Sequence, residues 1–122
     1  MRRMRDSIIS YFRFCERNPD YMKLLGRAQL DAVEGGEGEE TEEMGEELMR
    51  KGSEVILAAQ KAGAIRADIR PDFVIIGFLS LVAHWFMGGR LFMGEAGHKN
   101  PEQHDREYLD FITKVYLRGI SP

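Results

Sequence analysis

The feature that most constrains the fold is an apolar stretch from Pro71 to Met93, which reads PDFVIIGFLSLVAHWFMGGRLFM. Between Phe73 and Gly89 its only ionisable side chain is that of His84. A helix that is apolar around its whole circumference must be covered on every side. The run falls short of the roughly 20 apolar residues that a membrane span requires. We therefore expect a buried helix and no membrane association.

The two sides of this helix differ in character. At about 100° per residue, one face carries Phe73, Gly77, Ser80, His84 and Leu91, and the opposite face carries Ile75, Phe78, Val82, Phe86 and Met93. Small and weakly polar residues on the first face suit close approach by another helix, whereas the bulky second face suits a core. A chain of 122 residues has few other helices to cover both sides, so the pattern predicts a second subunit. A central helix buried within a single monomer is the alternative.

Composition describes one soluble globular domain, with 43% hydrophobic residues, 30% charged residues and a net charge of −3. This charge argues against a dedicated nucleic-acid surface, which would be basic. The single cysteine, Cys15, excludes an intramolecular disulfide and fits a reducing cytoplasm. The basic and then apolar start imitates a signal peptide, but Asp6, Arg13 and Glu16 interrupt it. We therefore predict a cytoplasmic protein.

Helix signals without strand alternation predict an all-α bundle of five helices. Their predicted bounds are Arg3–Arg17, Pro19–Val33, Thr41 or Glu42 to Ala62, a long helix from Pro71, and Pro101–Arg118. Asn18-Pro19 and Asn100-Pro101 mark helix starts, and Gly63 marks an end. The segment EGGEGEETEE after Val33 predicts a mobile, hydrated connection. The inward stripe predicted for the third helix is Met44, Leu48, Gly52, Val55, Ala59 and Ala62, with Ile56 flanking.

No pattern of residues points to catalysis. Cys15 lies on an apolar helical face without a histidine nearby in sequence, which favours a small core residue. The histidines His84, His98 and His104 are too scattered for a metal motif, and no phosphate-binding glycine motif is present. We expect no enzyme, no metal and no cofactor.

Aromatic and sulfur-containing side chains indicate a pocket for an apolar or planar ligand, because they deform easily around irregular shapes. An ordinary core is the alternative for each of them. Trp85 and His84 would each bring a polar group to an apolar wall. The predicted pocket comprises Tyr11, Phe12, Cys15, Tyr21, Met22, Leu25, Met44, Leu48, Phe78, Val82 and Trp85.

The order of these segments resembles the C-terminal regulatory domain of TetR-type transcriptional regulators. Three passages carry the resemblance: FRFCERNPDYMKLL, EEMGEELMRKGSEVILAAQKAGAIRADIRPD, and the closing YLDFITKVYLRGI after the helix with Trp85. Together they span nearly the whole chain, and their order is more specific than any one of them.

The resemblance implies that the last two helices form a four-helix interface with a twin, and that the earlier helices enclose a small hydrophobic effector. The implied interface residues are Phe73, Gly77, Ser80, His84, Met87, Leu91, Tyr108, Phe111, Ile112, Val115 and Tyr116. The chain departs from the family in lacking the DNA-binding head, so DNA would be reached only through another domain. A helical structural or adaptor homodimer without a ligand is the alternative function.

Overall fold

A computed structural model describes residues 2–33 and 39–122 of the chain. Its described part is all-helical, with α1 over Arg2–Arg17, α2 over Pro19–Val33, α3 over Glu39–Lys61, α4 over Pro71–Met87, a 3₁₀ segment over Gly89–His98, and α5 over Pro101–Ile120. Residues 34–38 of the predicted acidic connection lie outside the described residues. The remainder of that connection is helical, because α3 begins at Glu39, before the predicted Thr41 or Glu42.

The long fourth helix of the prediction is shorter than expected. It ends at Met87, and a 3₁₀ segment replaces the last turns, with Gly94 in a positive-φ conformation (φ 60°) inside it. Gly88 and Gly89 interrupt the helix because glycine propagates helices poorly. The described part therefore contains six helical segments instead of the predicted five.

Most of the predicted helix boundaries are found where the sequence signals place them. Gly63 takes up a left-handed φ of 79° directly after α3, as expected for a helix-terminating glycine. Asn18 separates α1 from α2, but its side-chain amide donates to the carbonyl of Phe14 at 2.7 Å and so caps the end of α1, not the start of α2. Asn100 precedes α5 with φ 50° and makes no side-chain capping bond.

Helix α4 is the centre of the bundle, and α1, α2, α3, α5 and the 3₁₀ segment all pack against it. Val82 of α4 has no exposed surface. It lies in a core with Ile8 and Phe12 of α1 and Ile112 of α5. The predicted core face of α4 is thus the one that its own chain covers.

The inward face of α3 is turned from the predicted stripe. Ile56 is buried, whereas Leu48 and Val55 are exposed. Gly52, a member of the predicted stripe, does face inward, because a Cβ there would lie 3.2 Å from Cδ1 of Ile75 on α4. The prediction that Leu48, Val55 and Ala62 face inward is therefore wrong.

The connector between α3 and α4 is fastened by polar contacts. The Gln60 side-chain amide donates to the carbonyls of Arg66 and Ile69 at 3.0 and 2.8 Å. The backbone N–H of Arg66 donates to the carbonyl of Ile120 at 2.9 Å, which ties the connector to the end of α5. The Arg66 guanidinium beside Asp68 lowers the pKa of that carboxyl group.

No single helix in the described ranges is long and apolar enough to cross a membrane. Only Pro71–Met87 taken together with Gly89–Glu95 reaches that length and composition, and the two are bent by 42° at the break.

The left-handed conformation of Gly63 can be tested by comparing its substitution with that of a second glycine. Gly63→Ala forces a side chain into a left-handed conformation and should lower the free energy of unfolding by about 1 kcal/mol. Gly45 lies inside α3 with no atom near the position of an added Cβ, so Gly45→Ala should raise it by about 0.5–1 kcal/mol. Urea denaturation followed by circular dichroism measures both. Equal effects from the two substitutions would contradict the assigned backbone of Gly63.

Candidate functional site

The surface most unusual for a monomer is an apolar strip along α4 and α5, which we call the outer face. On α4 and the 3₁₀ segment that follows it, its exposed members recur every three or four residues, and on α5 two exposed side chains lie one turn apart. The outer face consists of Phe73, Ile76, Ser80, His84, Met87 and Leu91 with Phe111 and Val115. Its large side chains are well exposed, with Phe111 and Val115 each at 56% and Leu91 at 73%. Exposed aromatic and aliphatic side chains that recur along two packed helices are typical of an interaction site.

Helices α4 and α5, which carry most of the outer face, pack against each other as a pair. Two tyrosines of α5 hold the pair together, since the Tyr108 hydroxyl donates to the carbonyl of Leu81 at 2.7 Å and the Tyr116 hydroxyl donates to the carbonyl of Val74. Burial raises the pKa of both phenols. Both hydroxyls therefore remain neutral donors at neutral pH, and the two helices form one platform.

The predicted interface residues divide into three groups. Phe73, Ser80, His84, Met87, Leu91, Phe111 and Val115 are exposed on the outer face. Ile112 is only 2% exposed and packs in the core of its own chain, so its assignment to a subunit interface is wrong. Tyr108 and Tyr116 are half-buried in the α4–α5 contact, and Gly77 admits the ring of Tyr116, whose Cε2 lies 3.5 Å from the position of a Cβ.

The predicted pocket residues do not line a common cavity. Phe12, Cys15, Met22, Val82 and Trp85 are buried in the core, and Tyr11, Leu25 and Phe78 are half-buried against it. Rings fill this space edge-on, with Phe12 and Phe86 centroids 4.8 Å apart and those of Tyr11 and Phe78 6.0 Å apart. Tyr21 and Leu48 are exposed, and the side chain of Met44 lies outside the described part. Core packing, the alternative stated for these residues, accounts for the buried ones.

Two open grooves border this core. The smaller, of about 340 Å³, lies between α2 and the end of α4, with Cys15 and Met22 of the predicted pocket in its wall. The larger, of about 590 Å³, lies between α1 and α3; we call it the α1–α3 groove. Its lining residues are Arg2, Arg3, Met4, Ser7, Val55, Ile56, Ala58, Ala59, Ala62, Ala64 and Ile65. None of these residues was predicted to bind a ligand, because alanines carry no chemical signal in a sequence.

A buried carboxylate lies where α4, the 3₁₀ segment and α5 meet. Asp105 is 3% exposed, and its carboxylate accepts a hydrogen bond from Trp85 Nε1 at 2.8 Å. Arg90 Nη2 donates to both carboxylate oxygens at 2.7 Å, and its Nε donates to Oδ1 at 3.1 Å. The ring of Tyr108 stacks on Trp85 with centroids 4.2 Å apart and planes 7° apart. Trp85, Arg90, Asp105 and Tyr108 form the cluster that we call the Asp105 network.

Sequence reasoning missed this network. Asp105 stands among Glu102, Arg106 and Glu107, and nothing in its neighbours distinguishes it. The available signal was Trp85, because a tryptophan N–H inside an apolar helix needs an acceptor when it is buried. That signal predicts the presence of a partner but not which residue supplies it.

Glu16 of α1 borders the Asp105 network. Loss of hydration beside the cluster raises the pKa of the Glu16 carboxyl group, as does the nearby Asp105 carboxylate, while the charge of Arg90 lowers it. Burial likewise raises the pKa of the Cys15 thiol, although the neighbouring Tyr11 hydroxyl acts in the opposite direction. Cys15 is therefore held as a neutral thiol, which is the wrong state for a nucleophile.

The part of the chain that the structure describes contains no group of three or more His, Cys, Asp or Glu side chains placed to hold a metal ion.

Comparison of the chain with protein-family models, curated proteins and solved structures finds no match.

The Asp105 network can be tested against a surface pair on the same helix. Asp105→Asn keeps an acceptor for Trp85 but removes the charge that faces Arg90, and it should cost about 2 kcal/mol of unfolding free energy. Asp110→Asn removes only the exposed pair with Lys114 and should cost less than about 0.5 kcal/mol. Denaturant titration of both variants checks the difference, and equal costs would contradict a structural role for the network.

The raised pKa of Glu16 predicts that the stability of the folded protein depends on pH. Because its pKa is raised in the folded state, the folded protein holds this proton more tightly than the unfolded chain does, and stability falls as pH rises through the ordinary glutamate range. Glu16→Gln removes this loss, so its melting temperature should exceed the parent's at pH 7 and match it near pH 4. Glu46→Gln on the exposed side of α3 is the control. A gain that is the same at both pH values would contradict the assignment.

Proposed function

We propose that this chain is a homodimerisation and effector-sensing domain of the TetR-like type. The outer face carries the proposal, because it leaves aromatic and aliphatic side chains in water on the two helices that the sequence resemblance assigns to a subunit interface. DNA would be contacted through a separate domain, and this chain would supply the dimer and the response to a small molecule. A cytoplasmic location accords with the buried free thiol of Cys15.

A second copy of the chain is the partner that best fits the outer face. In a twofold dimer the same surface meets itself, so it must be compatible with its own chemistry. The outer face meets this requirement along most of its length, since its members are apolar or weakly polar. One cation borders it, because the Arg70 guanidinium lies 4.1 Å from the centroid of the Phe73 ring at the start of α4. Ser80 lies midway along its α4 part, where a small side chain lets a facing helix approach closely.

The geometry also supports a route from ligand to dimer. Helices α1 and α3 both pack against α4, and α4 carries most of the outer face. A molecule bound in the α1–α3 groove would contact the two helices that set the position of α4. If the ligand prefers one arrangement of α4 over another, it shifts the population between two dimer geometries.

A helical adaptor homodimer without a ligand is the second candidate. Its support is that the residues expected to line a pocket are largely packed in the core. Both candidates require the dimer, and they differ only in whether a small molecule binds.

The dimer is tested by placing a charge on the outer face. Phe111→Glu and Val115→Glu should each move the mass measured by sedimentation equilibrium from twice 14.0 kDa towards 14.0 kDa, because an unpaired carboxylate would be buried in the contact. Their circular dichroism spectra should stay unchanged, since both side chains are exposed in the single chain.

The matched control is Leu48→Glu, at a similarly exposed leucine on α3 (62%), which should leave the dimer intact. A parent chain that sediments as a monomer at high concentration would refute the proposed interface. So would a dimer that withstands both outer-face substitutions.

A further inference from the structure

We infer that the α1–α3 groove binds an amphipathic anion, namely a carboxylate with an unbranched alkyl chain. The inference rests on the proposed function, because this molecule would be the effector that the domain senses. It goes further by naming a site that the sequence did not reveal and the chemical class of its ligand.

The shape of the groove follows from the packing of its two walls. Within the described residues, α1 and α3 each pack against α4, but their backbones do not approach one another closely. The gap between them has Ile56 and Ile65 as buried members of its lining, and its volume of about 590 Å³ falls within the range of small-molecule sites.

Most of the lining is aliphatic, and four of its eleven residues are alanines. Ala58, Ala59, Ala62 and Ala64 present single methyl groups along one wall. Such a wall has few polar groups to fix the orientation of a planar, hydrogen-bonding ligand. It suits a flexible hydrocarbon chain, which gains free energy in proportion to the apolar area removed from water.

The positive charge of the groove favours a carboxylate as the head group of the ligand. Arg2 and Arg3 line it, and no carboxylate does, although the whole chain has a net charge of −3. Neither arginine forms an ion pair with another residue of the described ranges. A guanidinium group binds a carboxylate through two parallel hydrogen bonds. Ser7, also in the lining, adds a hydroxyl whose proton is already donated to the carbonyl of Arg3 at 2.9 Å.

An alkyl carboxylate therefore matches both parts of the groove. Isothermal titration with dodecanoate, kept below its micelle concentration, should give one site per chain with a dissociation constant in the micromolar range. Dodecanol should bind at least about tenfold more weakly, because it lacks the charge that pairs with the arginines. Dodecyltrimethylammonium should show no saturable binding.

Two pairs of variants separate the head-group contact from the alkyl contact. Arg2→Gln with Arg3→Gln should weaken dodecanoate about tenfold and leave dodecanol unchanged, whereas Arg13→Gln with Arg17→Gln on the same helix should change neither. Ala62→Trp should fill the groove and abolish binding of both ligands. Its control, Ala67→Trp, alters an exposed alanine that does not line the groove and should bind normally.

The outcomes distinguish this inference from the proposed function. An intact dimer that binds no dodecanoate, or binds dodecanol and dodecanoate equally, overturns the inference and leaves dimerisation standing. Saturable binding of dodecanoate that Ala62→Trp does not affect also overturns it, because the ligand would then occupy another place. A monomer that binds dodecanoate as described supports the groove and overturns the dimer instead.

Discussion

The structure depends on covering one apolar helix. Each of the other helical segments in the described part packs against α4, and the side of α4 that they bury is the bulky side, with Val82 at its centre. The hydrophobic gain from this burial is the main stabilising contribution in a chain of this length. These segments do not enclose α4 completely, and its uncovered side forms most of the outer face. The proposed dimer would cover that side with a second copy of the chain.

A second constraint acts at the far end of α4, where the helix gives way to the 3₁₀ segment. The Asp105 network joins three consecutive elements through one carboxylate, which accepts from both an indole and a guanidinium group. A buried carboxylate is costly unless it is paired and hydrogen-bonded. Here those requirements fix the position of Arg90, so the same interaction that satisfies the charge also sets the direction in which the chain leaves α4.

The sequence was informative where local chemistry decides the outcome and uninformative where tertiary geometry does. Gly63, Asn18-Pro19 and Pro71 mark their boundaries because the backbone conformations they favour are local properties. The two faces of α4 were separable by helical periodicity alone. The face of α3 was not, because Val55 and Ile56 are adjacent in sequence and both are apolar, so only the packing of the helix decides that Ile56 is buried and Val55 exposed. The predicted aromatic pocket depends on tertiary packing in the same way. Composition indicates that aromatic and sulfur-containing side chains are present, but it does not say whether they surround a cavity or pack against one another, as the buried ones do here.

The sole tryptophan of the chain is placed where it reports on the contact between α4 and α5. Its indole is stacked on Tyr108 and hydrogen-bonded to a carboxylate that also holds the 3₁₀ segment. Any sliding of α5 along α4 would break the stacking and change the environment of the N–H at the same time. The fluorescence of Trp85 should therefore report on movement of α5 relative to α4, the two helices that carry most of the outer face, without an added label.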